Sequence, residues 1–296
     1  MFSFWQQKDP FNSEPVRQLV RLAIAEDLAA GDLTSRLVFG DDRRELTAFL
    51  LTKERLSVCG LPIVPVVFEE LKCRAEVEIQ VAEGSVQRSG ARLLTLRAAV
   101  TDILAAERII LNFIQHLSGV ASAAAELLRS AEGIKVLDTR KTTPGWRALE
   151  KYAVRVGGGL NHRANLAEMV LIKNNHIDAV RMLNKTSLPE LLERIRRNKS
   201  SAVPWEIEVR DLAELEAALR ADPDVVMLDN MSDEMISEAI MLAQKSGSKA
   251  LIEVSGGIAA DRLPSLAKRG VQYVSVGRLT HSAQAKDISL RFEVAG

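Results

Sequence analysis

Between residues 134 and 276, short apolar runs alternate with segments of helical periodicity, and this alternation restricts the possible folds more than any other feature. The apolar runs cover 134–137, 169–172, 205–209, 225–228, 250–254 and 273–276, and the helical segments cover 145–156, 187–198, 211–221, 232–246 and 261–269. Strands joined by helices of this length pair in parallel through right-handed crossovers. Six such units predict a β/α barrel, closed or open, or a doubly wound sheet.

The positions of polar residues favour the barrel over the doubly wound sheet. They recur directly after the apolar runs, at 138–141, 173–176, 229–230, 255–257 and 277–278, and Glu208 lies near the end of another run. Barrel enzymes carry their chemistry at the carboxyl ends of the strands. The repeated placement therefore predicts one functional rim.

The first part of the chain has a different pattern. A helical segment at 14–29 precedes short extended stretches at 46–52, 75–81 and 92–98, and a helical stretch at 64–72 interrupts them. A long helical stretch at 101–131 follows, with a break expected near Ser118-Gly119. The predicted fold class is therefore α/β, with an α/β sandwich domain at 1–117, rejoined by the C-terminal segment 277–296, and a barrel domain with parallel strands at 118–276.

Composition excludes several classes of protein. Lys plus Arg and Asp plus Glu both number 39, so the chain lacks the basic excess that nucleic-acid and membrane-surface proteins need. Cys59 and Cys73 have neither a disulfide framework nor metal-ligand spacing. We expect no membrane span, and because the first residues lack signal-peptide order, we expect a cytoplasmic protein.

Cationic side chains follow two of the apolar runs, with a further pair between them. Arg140 and Lys141 come after the first run, His162 and Arg163 follow three consecutive glycines, and Lys173 and His176 come after the second run. Any one of them alone could be a solvated loop charge. Because strand ends converge at one rim, the six together predict an anion pocket, suited to a substrate with two or more carboxylates.

Two late loops carry glycine. Ser255-Gly256-Gly257 follows one buried run, and Gly277 follows the next, with His281 shortly after it. Glycine-containing loops after the last strands of a barrel commonly bind phosphate. Their exposed backbone N–H groups and the N-terminus of the following helix can donate hydrogen bonds to the anion. Simple tight turns are the alternative, and the pairing of the loops favours phosphate.

Two carboxylates mark neighbouring strand ends. Glu208 and Asp229 each end an apolar run. Carboxylates beside a phosphate site suggest Mg²⁺, a hard cation that bridges protein oxygens to phosphates. Either carboxylate could instead be the partner of one of the cations.

Several motifs, in order along nearly the whole chain, closely resemble the quinolinate phosphoribosyltransferase family. They are Glu-Asp at 26–27, Gly-Asp at 31–32, Thr34, Glu-Arg at 107–108, Leu-Ser-Gly at 117–119, Asp-Thr-Arg-Lys-Thr-Thr-Pro-Gly at 138–145, Gly-Gly-Gly-Leu-Asn-His-Arg at 157–163, Leu-Ile-Lys-Asn-Asn-His-Ile at 171–177, Glu-Ile-Glu-Val at 206–209 and Ser-Gly-Gly-Ile at 255–258. The resemblance implies an α/β sandwich followed by an open six-stranded barrel. It also implies de novo NAD synthesis: quinolinate and phosphoribosyl pyrophosphate give nicotinate mononucleotide, pyrophosphate and CO₂, with Mg²⁺.

The resemblance also implies roles for individual residues. Arg140, His162 and Arg163 would hold the quinolinate carboxylates, beside Thr139, Lys141, Lys173 and His176. Lys141, Lys173, Glu208 and Asp229 would be catalytic, and the last two would also hold the metal. Arg108 would reach the active site of a neighbouring subunit in an obligatory homodimer, with a hexamer also compatible. Ser255, Gly256, Gly257, Gly277 and His281 would bind phosphate.

Three alternatives stay open. The chain departs from the family at Asn174, where aspartate is usual, and a catalytically weak ligand-binding or regulatory paralogue would explain that departure. The molybdenum-transport relative of the same fold fits Asn161-His162-Arg163 and Lys173 poorly. Without quinolinate chemistry, the pattern describes a generic phosphate-binding barrel, such as a lyase or isomerase.

Overall fold

A computed structural model describes residues 9–293 of the chain. The helices are α1 Glu14–Leu28, α2 Leu33–Phe39, α3 Ile63–Glu70, α4 Val100–Arg129, α5 Arg147–Val156, α6 Asn174–Asn184, α7 Leu188–Asn198, α8 Leu212–Arg220, α9 Asp233–Ser246, α10 Leu263–Lys268 and α11 Arg278–His281. The strands are β1 Glu45–Thr52, β2 Leu56–Ser57, β3 Ala75–Ile79, β4 Val86–Gln87, β5 Arg92–Ala99, β6 Lys135–Leu137, β7 Val170–Ile172, β8 Trp205–Val209, β9 Val225–Asp229, β10 Leu251–Ser255, β11 Tyr273–Ser275 and β12 Ile288–Phe292.

The chain forms two compact units, and one contains a six-stranded parallel sheet. This barrel unit comprises 126–140 and 160–277 among the described residues. Its strand order is β6-β11-β10-β9-β8-β7, so β6 and β7 are the two edges, as expected of an open barrel. The predicted fold class is confirmed. A buried cluster of Leu137, Met169, Val225 and Tyr273 lies in its core.

The register of the sheet brings the carboxyl ends of the strands level. Leu137 pairs with Ser275, Ser275 with Ser255, and Ser255 with Asp229. Each predicted strand lies within one residue of an observed one. The segments that follow these strands therefore start from one rim.

The other unit contains an antiparallel sheet of strand order β12-β1-β5-β3. This sandwich unit comprises residues 9–125, 141–159 and 278–293 of the described chain. The C-terminal strand β12 pairs in antiparallel fashion with β1 of the N-terminal sheet. The loop and helix at 141–159 also belong here, although they follow a strand of the barrel unit.

The expected break in the long helix is wrong. Helix α4 runs without interruption through Ser118 and Gly119. The Ser118 hydroxyl accepts the N–H of Cys59 at 3.0 Å, and a Cβ added to Gly119 would lie 2.2 Å from the carbonyl oxygen of Gln284. Both small residues therefore permit close packing rather than a bend.

One helix of the barrel unit was not predicted. Helix α6 begins at Asn174, directly after Lys173, where the sequence suggested a polar loop. The Nδ1 atom of His176 accepts the backbone N–H of Lys173 at 2.9 Å, which satisfies a donor at the start of the helix. Its C-terminal half exposes Met182 and Leu183 to solvent, which weakens the apolar periodicity that reveals a surface helix.

Candidate active site

Two carboxylates of the barrel unit hold the segment 161–163 in place. The Asp138 side chain, after β6, accepts the Asn161 amide at 2.6 Å and the His162 backbone N–H at 2.7 Å. From β8, Glu206 Oε2 lies 3.0 Å from His162 Nε2. Asp138, Asn161 and His162 are all buried and form one hydrogen-bonded cluster.

A further buried acid, Glu253, lies near His162. Glu253 of β10 is fully buried, and its Oε2 lies 3.9 Å from His162 Nε2. Burial, followed by the charge of Glu206, raises the pKa of Glu253 to about 8. Its buried surroundings therefore favour the protonated form of Glu253.

Arg163 is a buried cation in the same segment. Its Nη1 donates to the carbonyl of Met169 at 2.9 Å, while its buried Nε has no protein partner. Burial, followed by the positive charge of Arg140, lowers the pKa of Arg163. Two cations held against their mutual repulsion, one of them desolvated, favour binding of an anion between them. Arg163 also lines a cavity of about 340 Å³ with His176 and the β7 residues.

Lys173 and Glu208 form an ion pair at the ends of β7 and β8. Lys173 Nζ lies 3.0 Å from Glu208 Oε2, and the Glu208 side chain is 10% exposed whereas that of Lys173 is 47% exposed. Glu208 therefore pairs with one of the cations, which was the alternative to metal binding. The second oxygen of Glu208 is still available to a ligand or metal by its chemistry.

Asp229 ends β9, the strand next to β8, and it is partly exposed. Two oxygen-bearing side chains at neighbouring strand ends are the donor set that Mg²⁺ prefers, usually with water completing the shell. The residues present therefore fit a magnesium ion, in competition with Lys173 for Glu208.

The glycine loop after β10 has the left-handed backbone that two consecutive glycines allow. Gly256 and Gly257 have backbone φ angles of +91° and +60°, which residues other than glycine rarely adopt. A Cβ at Gly256 would lie 2.1 Å from Asn230 Oδ1, because Asn230 fills the space beside the loop. Ser255 lies at the sheet rim, paired with Asp229, and Gly277 follows β11.

Three predicted site residues belong to the sandwich unit. Arg108 is exposed on α4, and Lys141 is exposed at the start of the loop before α5. The Thr280 hydroxyl donates to the Lys141 carbonyl at 2.7 Å, and His281 follows Thr280 in α11. The same loop is held by buried Glu150, which accepts the Thr143 N–H at 3.0 Å and contacts His116 Nε2 at 2.9 Å.

The barrel unit thus contains twelve of the fifteen predicted site residues. They are Thr139, Arg140, His162, Arg163, Lys173, His176, Glu208, Asp229, Ser255, Gly256, Gly257 and Gly277. Sequence reasoning missed Glu206 and Glu253, which lie inside apolar strands. An acid in the middle of a buried strand, two residues before another polar position, is the signal that could have revealed them.

Two family models match the chain over most of its length. The model of the quinolinate phosphoribosyl transferase C-terminal domain matches residues 120–291, and that of the N-terminal domain matches residues 32–118.

Named relatives agree with this match. A probable carboxylating nicotinate-nucleotide pyrophosphorylase of Bacillus subtilis is 36% identical over 281 residues, which is 94% of both chains. The carboxylating nicotinate-nucleotide pyrophosphorylase of Mycobacterium leprae is 36% identical, over 94% of this chain and 97% of that protein. The solved nicotinate-nucleotide pyrophosphorylase of Francisella tularensis is 38% identical, with a TM-score of 0.86 over 97% of this chain and all of that one.

Proposed function

Because the chain belongs to the quinolinate phosphoribosyl transferase family, we propose that it converts quinolinate and phosphoribosyl pyrophosphate to nicotinate mononucleotide, pyrophosphate and CO₂. This reaction is a step of NAD biosynthesis and makes the chain a pentosyltransferase. The observation that carries the proposal is the pair Arg140 and Arg163, two cations from separate segments of the barrel unit whose charges act on one another, with Arg163 buried. The comparisons give no support to a non-catalytic paralogue.

We assign binding of the pyridine dicarboxylate to Arg140 and Arg163. Guanidinium groups bind carboxylates through two parallel hydrogen bonds, which fixes the orientation of a planar acid. Thr139, His176 and Lys173 stand at the same rim and help to place the ring. Lys141 follows Arg140 in the chain, and its exposed ammonium group is available to the same anions.

The leaving group and the sugar phosphate need positive and hydrogen-bonding groups. The backbone N–H groups at Ser255, Gly256, Gly257 and Gly277, with His281, are suited to phosphate oxygens. As pyrophosphate leaves, positive charge develops on the ribose, and Glu208 and Asp229 stabilise it while Lys173 neutralises the leaving oxygens. Glu208 and Asp229 would also hold Mg²⁺, which supplies charge neutralisation of the pyrophosphate.

Carbon dioxide loss requires little of the protein. Once the pyridine nitrogen has bonded to the ribose, the ring is cationic. The electron pair of the broken C–CO₂ bond stays on the ring carbon beside this positive nitrogen, which stabilises it, and that carbon then takes a proton from solvent. Orientation by the two arginines is then sufficient, with no covalent enzyme nucleophile.

We further propose a homodimer in which Arg108 serves the partner's site. Arg108 is exposed in the middle of α4 and has no ion pair within the described chain. Larger assemblies, up to a hexamer, are compatible with this arrangement. We propose a cytoplasmic location, which the free thiols of both cysteines support. No described helix has the length and apolar character that a bilayer crossing requires.

The direct test is an assay of purified protein with quinolinate, phosphoribosyl pyrophosphate and Mg²⁺. We expect nicotinate mononucleotide and CO₂ to form in equal amounts, and neither to form without quinolinate. Quinolinate binding without any product would support the paralogue instead, and the absence of both would contradict the proposal.

A further inference from the structure

The hydrogen bonds of His162 indicate which of its ring nitrogens carries the proton. The backbone N–H of Arg163 points at His162 Nδ1 at 2.8 Å, and a peptide N–H can only donate. Nδ1 therefore offers a lone pair, so the ring proton is on Nε2, 3.0 Å from Glu206 Oε2. The ring is neutral, and both of its nitrogens have protein partners.

This tautomer also bears on a cation-binding interpretation. His162, Glu206 and Glu253 are buried and place their ligand-type atoms within 4.8 Å of one another, as a metal site would. A metal needs the lone pair of a ring nitrogen, and the lone pair of His162 is already used at Nδ1. The protonated Nε2 is a donor, so the cluster serves hydrogen bonding.

We propose, on the basis of the function given above, that His162 is a neutral positioning residue, locked by Glu206, that holds Arg163 in the conformation that binds the pyridine dicarboxylate. The chain of hydrogen bonds is continuous. Glu206 accepts the N–H of His162 Nε2, and His162 Nδ1 accepts the backbone N–H of Arg163. The Arg163 guanidinium in turn donates to the Met169 carbonyl. This role replaces direct carboxylate binding by His162.

The position of Glu206 suits this role. It is fully buried on β8, two residues before Glu208, and both side chains therefore lie on the same face of the strand. Because Glu206 is buried, no solvent competes with the His162 N–H for its carboxyl oxygen.

The Glu206→Gln variant tests whether the hydrogen bond between Glu206 and His162 positions Arg163. The Glu253→Gln variant is its matched control. Both changes replace a buried carboxyl with an isosteric amide, but only Glu206 has a hydrogen bond to His162. We expect Glu206→Gln to raise the Kd for quinolinate about tenfold, because the carboxyl that orients the His162 ring is lost. We expect Glu253→Gln to change it less than twofold.

A double-mutant cycle separates positioning from general damage. If Glu206 acts through Arg163, then Glu206→Gln will change the quinolinate Kd less than twofold in an Arg163→Ala background. The same factor in both backgrounds, or equal effects of Glu206→Gln and Glu253→Gln, would overturn the proposal.

Nitrogen NMR of the wild-type protein supplies a readout that needs no variant of Glu206. The chain has four histidines, so His162 is assigned by removing the other three singly, as His116→Gln, His176→Gln and His281→Gln. We expect protonated Nε2 and bare Nδ1, with and without quinolinate. A doubly protonated ring, or a proton on Nδ1, would overturn the proposal. Failure of catalysis alone would leave this ring assignment intact and count only against the proposed function.

Discussion

The ammonium group of Lys173 lies 3.0 Å from the carboxylate of Glu208, and the two residues come from the ends of neighbouring parallel strands. Lys173 is half exposed while Glu208 is almost buried. The pair therefore consists of a nearly buried carboxylate and an ammonium group that solvent can reach. A lysine in this position can reach an incoming anion without leaving its carboxylate partner.

We predict that Lys173→Ala lowers kcat/KM roughly 100-fold, because one preorganised positive group is lost where negative charge develops. Steady-state kinetics with phosphoribosyl pyrophosphate as the varied substrate measure the effect. Lys245→Ala, which removes an exposed lysine from the last turn of α9, is the control and should retain full activity. Equal kinetics in the two variants would contradict a role for Lys173.

We predict that Gly256→Ala raises the KM for phosphoribosyl pyrophosphate about tenfold or more, because a methyl group there overlaps Asn230 and displaces backbone donors worth roughly 1.5 kcal/mol or more. Gly247→Ala is the matched control. Gly247 also has positive φ, +71°, but nothing lies within 4 Å of its added Cβ. It should cost about 1 kcal/mol of stability and leave the KM unchanged. A normal KM in Gly256→Ala would argue against phosphate binding by this loop.

The buried carboxyl of Glu253 predicts a pH dependence of stability. Its pKa rises from 4.5 in the unfolded chain to about 8 in the folded protein, so folding takes up a proton between these values. The free energy of unfolding should therefore lose this contribution progressively as the pH rises from 4.5 to 8. Glu253→Gln cannot ionise, and it should gain stability over wild type as the pH rises. Urea unfolding at several pH values gives the comparison, and parallel pH curves would contradict the assignment.

Hybrid dimers test the proposed contribution of Arg108. Arg108→Ala and Arg140→Ala chains should each be inactive alone, since every site lacks one cation. A hybrid dimer of one chain of each kind contains one site with both arginines. Mixed chains should therefore recover activity, to at most half of the wild-type level per hybrid dimer. Confirmed heterodimers without activity would contradict a shared site.

Much of the fold follows from pattern alone. The six strands of the parallel sheet were predicted within one residue because each is a short apolar run flanked by polar turns. The rule that parallel strands end together predicts one rim for the cations at 140, 163 and 173. By contrast, Ser118-Gly119 was interpreted as a break, because the sequence does not show that Gln284 packs against Gly119.

The buried acids are harder to foresee. Glu206 and Glu253 look like ordinary strand residues that could face solvent, and their burial depends on which face of the sheet points inward. The role of His162 likewise depends on the Arg163 N–H, a contact that only coordinates reveal. Spacing predicts His162 as a site residue, but it gives no indication of the hydrogen bonds that its two ring nitrogens make.

Calorimetric titration of quinolinate into the Arg140→Ala protein tests the central claim most directly, since two convergent arginines define the dicarboxylate site. We predict at least a hundredfold loss of quinolinate affinity, on the order of 3 kcal/mol for a lost charge-assisted pair, with an unchanged circular dichroism spectrum and unchanged affinity for phosphoribosyl pyrophosphate. Quinolinate binding at wild-type affinity would contradict the account.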